Sequence, residues 1–313
     1  MNHFLLTINA IVPMFLLVGA GFVSRTAGII SREEVPQVNK LAYRVFLPCM
    51  LFYSIYQSDL NSVFRMDAIL FAALGFFFVA FVSVLSCDRL VKQQEHKGVI
   101  AQSLYRSNFL ILGLPIAAAL LPDNELGLVT ILMALMGPLF NVTSVVVLER
   151  YSSVKTDKKE MLLAVLKNPL IVGTILGLLT QLVRLRLPAL LEGVLLSLGS
   201  VASPLQLFLL GAFFRFEGLK RYLKPLIVVT ILKLCVIPGL LLGTAALIGF
   251  RGAAFVGILG AFASPTAVNS FTMVQQMECG DAELAGDLVV VTTAFSLFSF
   301  FVWVLLFKTL GMF

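Results

Sequence analysis

Pro48-Cys49-Met50-Leu51-Phe52 returns 156 residues later as Pro204-Leu205-Gln206-Leu207-Phe208. A second pair keeps the same offset: Pro13 with Pro169, each inside an apolar run, and Gly21 with Gly177. A chain of 313 residues that echoes itself at half its length reads as two modules fused head to tail. Their solvent follows from composition. Apolar residues make up 59% of the chain and charged ones 13%, with mean hydropathy +0.99. Soluble domains carry about 25% charged residues, so polar surface is too scarce to cover a water-soluble globule. The bilayer must be the solvent, and internal duplication in a bilayer is a recurring plan of secondary transporters.

Ten apolar stretches are expected to span, near 4–24, 36–57, 66–87, 98–121, 127–148, 161–182, 190–213, 223–249, 252–276 and 284–308. Each is close to the ~20 residues that a helix needs to cross the hydrocarbon core. The run Phe4–Val23 has no positive segment ahead of it and reads as an uncleaved first span. The longest connection is the polar segment Glu149–Glu160, and no Gly/Ser/Pro-rich linker sets off a soluble domain. One integral membrane body is expected, with residues 1–155 and 156–313 as its two five-helix repeats.

Basic residues orient it. With the N-terminus outside, one face carries Arg25, Arg32, Arg89, Lys92, Lys97, Arg150, Lys155, Lys158, Lys159, Lys167, Arg215, Lys220, Arg221 and Lys224. The other holds Arg65, Arg184, Arg186, Arg251 and Lys308. Fourteen against five of the 23 makes the first face cytoplasmic by the positive-inside rule and places both termini outside. Five spans per repeat is odd, so the halves enter the membrane in opposite senses. The expected fold class is therefore an all-α membrane protein of ten helices in two inverted repeats.

Four basic residues remain inside spans: Lys40, Arg44, Arg106 and Lys233. Intramembrane charge is costly and marks pathways or binding sites. For Lys40, Arg44 and Lys233 the bland account is snorkelling or a bond to backbone carbonyls. Arg106 is harder to dismiss. Asp88, Glu149, Asp287, Asp123-Asn124-Glu125 and Asp281-Ala282-Glu283 all fall at or close to span ends. An interior with positive charge alone favours an anion.

Span four runs Tyr105-Arg106-Ser107-Asn108-Phe109-Leu110-Ile111-Leu112-Gly113-Leu114-Pro115, and span nine Ala263-Ser264-Pro265-Thr266-Ala267-Val268-Asn269-Ser270. Both set proline beside Asn, Ser, Thr or Gly at mid-membrane. Proline removes a backbone donor and clashes with the preceding turn, and lipid tolerates such a break only where protein or a watery cavity replaces the lost partners. Paired broken helices point to a substrate site, where half-helix N-termini bring partial positive charge. Asn108 and Asn269 would add amide donors. A proline kink with Ser and Asn bonded back to the helix is the competing account. Arg106, Asn108, Gly113, Pro115, Pro265, Thr266, Asn269 and Ser270 are the candidate substrate-binding residues, supported by Pro48, Gln206 and Lys233. Asn141, Thr143, Thr292, Thr293 and Ser296 read as helix–helix contacts, and Gly19, Gly21, Gly173 and Gly177 as close-packing positions.

No P-loop, dinucleotide loop or metal-ligand cluster appears, which argues against ATP-driven transport and implies neither cofactor nor metal. His3 and His96 are too far apart to form a metal site, and Cys49, Cys87, Cys235 and Cys279 read as free thiols. A net charge of +6 spread over short loops, without a basic groove, leaves no role for nucleic acid.

At these residues the chain resembles the auxin efflux carrier family, which includes the plant PIN proteins and many bacterial small-acid permeases. The likeness runs through Ile11-Val12-Pro13, Asn39-Lys40-Leu41 to Leu47-Pro48, Arg106-Ser107-Asn108 to Gly113-Leu114-Pro115, and Lys167-Asn168-Pro169. It continues through Leu210-Gly211-Ala212, Pro265-Thr266-Ala267 and Asp281 to Leu284, ending in Thr292–Ser296. The resemblance implies a scaffold and a transport domain, with broken helices four and nine crossing beside the substrate. It matches Asn108 and Pro115 to the asparagine and crossing proline of span four. Ser270 stands about where PIN proteins have their second crossing proline, and the long central loop of plant members is missing, which favours a bacterial-type permease.

The expected function is a secondary transporter of small organic anions, carboxylates foremost, working by alternating access. A sodium- or proton-coupled symporter or antiporter is the alternative, of the bile-acid-symporter or sodium/proton-antiporter type. A channel and an intramembrane enzyme are the remaining classes, the latter without a catalytic dyad in the sequence. Expected partners are a small organic acid anion, the lipid bilayer and, at most, a second copy of the chain in a homodimer.

Overall fold

Proline spacing dictates much of the helix geometry. In the computed structural model, three helices pass through a π-turn shortly before a proline: Ala42–Phe46 before Pro48, Phe109–Gly113 before Pro115, and Leu232–Val236 before Pro238. Proline has no N–H and its ring crowds the carbonyl four residues back. Widening the turn by one residue relieves that clash, and the displaced carbonyl needs another donor. Pro238 displaces the Leu234 carbonyl, which accepts the Trp303 indole N–H at 2.8 Å.

The structure describes residues 3–57, 65–122, 125–152, 163 and 166–313, and their side chains except for 3–11, Ile111, Leu114, Pro115 and Glu217. Among them the order is α1 (His3–Thr26), α2 (Val35–Leu41) and α3 (Leu47–Tyr56), α4 (Met66–Leu90), α5 (Gln94–Tyr105) and α6 (Leu114–Leu120), then α7 (Leu126–Tyr151). It continues with α8 (Pro169–Leu182), α9 (Ala189–Phe213), α10 (Phe216–Arg221), α11 (Leu223–Ile231) and α12 (Ile237–Ile248), α13 (Gly252–Ala263) and α14 (Asn269–Met277), and α15 (Ala282–Thr309). No strand is found among the described residues. Among the described residues five helical stretches are long and apolar enough to cross a membrane: α4, α7, α9, α11 with α12, and α15. Val12–Thr26, α8 and α13 are shorter apolar helices.

Within the sixth apolar run, Asn168 is a non-helical position. Asn168 caps α8, its side-chain oxygen accepting the Leu170 N–H at 3.0 Å, and Pro169 fits the first turn, where no N–H partner is needed. Residues 161–162 and 164–165 of that expected span lie outside the described residues, as do Lys155, Lys158, Lys159, Asp123 and Asn124.

The helices form two groups. Phe76, Phe140, Phe255, Phe262 and Phe307 join one apolar core shared by α4, α5, α6, α7, α12, α13 and α15. In the other group α1 lies against α9, and α3 against both α8 and α9. Lipid tails are as apolar as leucine, so these contacts rest on close packing rather than on escape from water. Glycine permits the approach. A Cβ on Gly21 would overlap the Phe208 carbonyl, and one on Gly177 would stand 3.0 Å from the Phe52 carbonyl oxygen. Gly21 and Gly177 are repeat partners in the sequence, and so are Phe52 and Phe208.

Gly19 faces open space two residues from Gly21. Gly21→Ala should destabilise by about 1–3 kcal/mol through overpacking, whereas Gly19→Ala should be neutral or slightly stabilising through helix propensity. Thermal unfolding of the two purified variants, side by side, checks this.

Candidate functional site

Spans four and nine are each interrupted, and the interruptions meet. The first span stays extended at Arg106, Ser107 and Asn108, between α5 and the π-turn that leads to α6. In the second, 264–268 separates α13 from α14. Ser107 and Thr266 pair as an isolated antiparallel bridge, and the Asn108 N–H donates to the Pro265 carbonyl at 2.8 Å. Each broken strand thus satisfies the other.

Side chains take up further backbone groups at the helix ends. The Thr266 hydroxyl donates to the Ser103 carbonyl at 3.0 Å, and the Thr266 N–H to the Thr292 hydroxyl at 3.3 Å. Gln102 donates to the Ser270 carbonyl at 3.3 Å, and Ser264 back to Gly260 at 2.6 Å. Lys233, 1% exposed, donates to the Leu104 carbonyl at 3.1 Å and the Ser107 hydroxyl at 2.7 Å. Burial of this kind without partners would cost several kcal/mol per charge.

A cleft of ≈ 80 Å³ lies beside the crossing. Its walls are Arg106, Ser107 and Asn108 from the first break, Ala267, Val268 and Asn269 from the second, and Met133, Pro138 and Asn141 of α7. Met50, Leu51 and Ser54 of α3 and Ser203 and Gln206 of α9 close it from the other helix group. No described lining residue is acidic, and Arg106 is the one cation among them. The Arg106 guanidinium is 1% exposed; it donates to the Asn141 side-chain oxygen at 2.5 Å and contacts the Met273 sulfur. Its Nε has no partner, and neither do the amide nitrogens of Asn108 and Gln206. These unpaired donors suit an anion with several acceptor oxygens.

Not every sequence candidate stands in the cleft. Arg106, Asn108, Asn269 and Gln206 line it, while Thr266, Pro265, Ser270 and Lys233 hold the crossing behind it. Gly113 instead faces the Phe109 ring and Gly260, and Pro48 packs on Gly173. The break in span four is not at Pro115. It lies seven residues earlier, and Pro115 follows the π-turn Phe109–Gly113, whose extra residue accommodates the missing N–H; the Pro115 side chain is outside the described residues. Asn141, read from sequence as a helix contact, proves to be the Arg106 partner. Its one signal was polarity in an apolar span, which helix-packing residues share. Lys40 and Arg44 are exposed, as snorkelling requires.

The cleft continues into a vestibule of ≈ 370 Å³ bounded by Tyr53, Gln57, Thr130 and Ser200, at the end of the bundle where α3 finishes. At the opposite, basic end the two helix groups are latched. Asn39 donates to Gln275 at 2.5 Å, Gln276 to the Pro36 carbonyl at 2.8 Å, and Arg32 pairs with Glu283 at 3.4 Å. The four described cysteines are free. Near the same end Glu95, His96 and Asp281 place ligand-type atoms within 4.8 Å of one another. Asp281 is already engaged: one oxygen caps α15 through the Glu283 and Leu284 N–H groups, and the other accepts the Tyr222 hydroxyl. Burial, reinforced by Asp281, pushes the Tyr222 phenol well above its ordinary range. This cluster ties α5, α15 and the start of α11 together.

Among solved structures, the sodium proton antiporter MjNhaP1 of Methanocaldococcus jannaschii is similar over 93% of this chain and 92% of its own, with TM-score 0.69 and 12% identity. At that identity the likeness shows a shared fold. An uncharacterized transporter of Methanothermobacter thermautotrophicus is 24% identical over 305 residues, covering 94% of this chain and 96% of the relative. Residues 6–304 match the membrane transport protein family. With nearly its whole length matched, the chain belongs to that family of transmembrane transporters, the family of the auxin efflux carriers.

Proposed function

We propose that the protein is a permease for small organic anions, carboxylates foremost, working by alternating access. The observation that carries this reading is the cleft at the crossing, where one buried guanidinium and two unpaired amide nitrogens meet no acidic residue. A carboxylate offers two oxygens to a guanidinium fork, and the low dielectric strengthens the attraction. The half-helix α14 begins at Asn269, beside the cleft, and adds the positive end of its dipole.

In this reading ten spans form two inverted five-helix repeats, 1–155 and 156–313, with both termini outside. The equivalent contacts of Gly21 on Phe208 and Gly177 on Phe52 support the repeat. Basic residues at the latched end support the orientation. The cleft then opens outward, and the latches across Arg32–Glu283, Asn39–Gln275 and Pro36–Gln276 close the cytoplasmic side. A small organic acid anion and the surrounding lipid are the partners, and a homodimer is compatible with the plan. For an uncoupled anion, a negative interior drives export by about 2.3 kcal/mol per charge per 100 mV.

The fold shared with a sodium proton antiporter is the observation that favours a second reading, cation exchange. No described residue of the cleft offers a carboxylate to a cation, so the anion reading ranks first.

Arg106→Ala should remove a charge-assisted contact worth roughly 1.5–3 kcal/mol, weakening carboxylate binding about 10- to 150-fold. Asn108→Ala should weaken it by about 0.5–1.5 kcal/mol. Carboxylate uptake into proteoliposomes, with a mono- and dicarboxylate panel, checks both. Unchanged flux in both variants removes the site assignment.

The latches generate a further expectation. Arg32→Ala with Glu283→Ala should shift the population toward the inward-open form. A membrane-impermeant thiol reagent should then label Ser54→Cys more slowly from outside than in the latched parent. Equal rates would mean that this ion pair does not hold the gate.

A further inference from the structure

Lys233 is the second buried cation among the described residues, and substrate contact does not account for it. Its ammonium lies behind the cleft wall, bonded to Ser107, a wall residue, and to the carbonyl of Leu104 in the last turn of α5. A helix C-terminus carries partial negative charge on its unpaired carbonyls. In inverted-repeat transporters, such half-helix ends and unwound carbonyls are where a coupling cation is coordinated. Here the oxygens gathered at that end already have donors: Thr266 takes Ser103, and Lys233 takes Leu104 and Ser107.

Local structure aims the lysine there. Lys233 sits in the π-turn Leu232–Val236 ahead of Pro238, and Trp303 restrains that turn through the Leu234 carbonyl. An ordinary helical turn would rotate position 233 differently about the axis, because the π-turn holds one more residue. A long flexible side chain pinned at 1% exposure loses its rotamer freedom, so the placement is an expense that packing alone does not explain.

We propose that the Lys233 ammonium is a resident cation occupying the position of a coupling ion at the helix crossing, so that the carrier needs no alkali-metal ion to assemble its substrate site. This deepens the anion-permease reading and rests on it for the word substrate. The ion-binding part stands on the crossing alone. The ammonium neutralises the end of α5 and holds Ser107 in the wall. Removing it leaves the Leu104 carbonyl and the Ser107 hydroxyl without a cation.

Thermal unfolding of the full-length protein in sodium, potassium and choline chloride tests this, together with carboxylate flux in the same salts. Parent protein should unfold at the same temperature in all three and carry substrate equally well. Lys233→Ala should become selectively stabilised by sodium or potassium over choline. Its flux should fall at least tenfold in choline and recover in the alkali salt. Lys233→Arg, which keeps the charge, should remain indifferent to salt. Sodium-dependent stability or flux in the parent overturns the proposal, as does Lys233→Ala that carries substrate normally in choline. Should Lys233→Ala fold only in an alkali salt, the proposal is supported; should it fold in none, the parent's salt response and Lys233→Arg decide. Failure of every carboxylate to bind, with the parent indifferent to sodium, would remove the anion reading and leave the resident cation standing.

Discussion

Backbone polarity in a medium without water governs this molecule. An uninterrupted helix satisfies its own N–H and C=O groups, and an interrupted one must find partners from the rest of the protein. Two interruptions placed side by side meet that demand economically. The bridge between Ser107 and Thr266 and the bond from Asn108 to Pro265 let each extended segment serve the other. Thr266, Gln102 and Lys233 then take up the carbonyls of Ser103, Ser270 and Leu104. Without the crossing, neither break would be tolerable at this depth, and the cleft beside it would have no polar wall.

Close packing supplies the second constraint. The α1–α9 and α3–α8 contacts rely on glycine at Gly21 and Gly177, and they join one helix group into a firm panel. The other group has its own aromatic core through Phe76, Phe140 and Phe255. Between the groups a second apolar core joins Met14, Leu47 and Ala202 to Leu104, Phe271 and Leu284, with polar latches at the basic end and a vestibule opposite. Two internally well-packed bodies meet across a joint that is part apolar and part polar, and its polar latches exchange hydrogen bonds with water as they part. That mechanical division is what alternating access requires of a fold.

The charge at the crossing separates this chain from what its fold alone would suggest. The architecture is shared with a sodium proton antiporter at 12% identity, and an architecture fixes where a site sits more firmly than which ion it takes. Here Arg106 and Lys233 bring two positive charges to one crossing. Such an interior repels metal cations and attracts anions, with the field sharpened by the low dielectric around it.

Hydropathy and repeat spacing were legible from residues alone, because both are sums over many positions and tolerate local error. The membrane environment, the ten apolar stretches and the pairing of Gly21 with Gly177 follow from that redundancy. An interruption in span four was legible from the polar run Arg106-Ser107-Asn108 and the following proline taken together. The break's distance from Pro115 was not, because a π-turn between them absorbs the proline, and its width depends on which neighbour can take the freed carbonyl. Tertiary structure alone decided that Asn141 meets Arg106, that Gly113 packs on Phe109 rather than facing the cleft, and that Lys233 reaches Leu104 while Lys40 and Arg44 stay exposed. The contacts of Asn141 with Arg106 and of Lys233 with Leu104 join residues far apart in the chain, and all of these placements are settled by helix rotation, a property of the packed assembly that no single segment encodes.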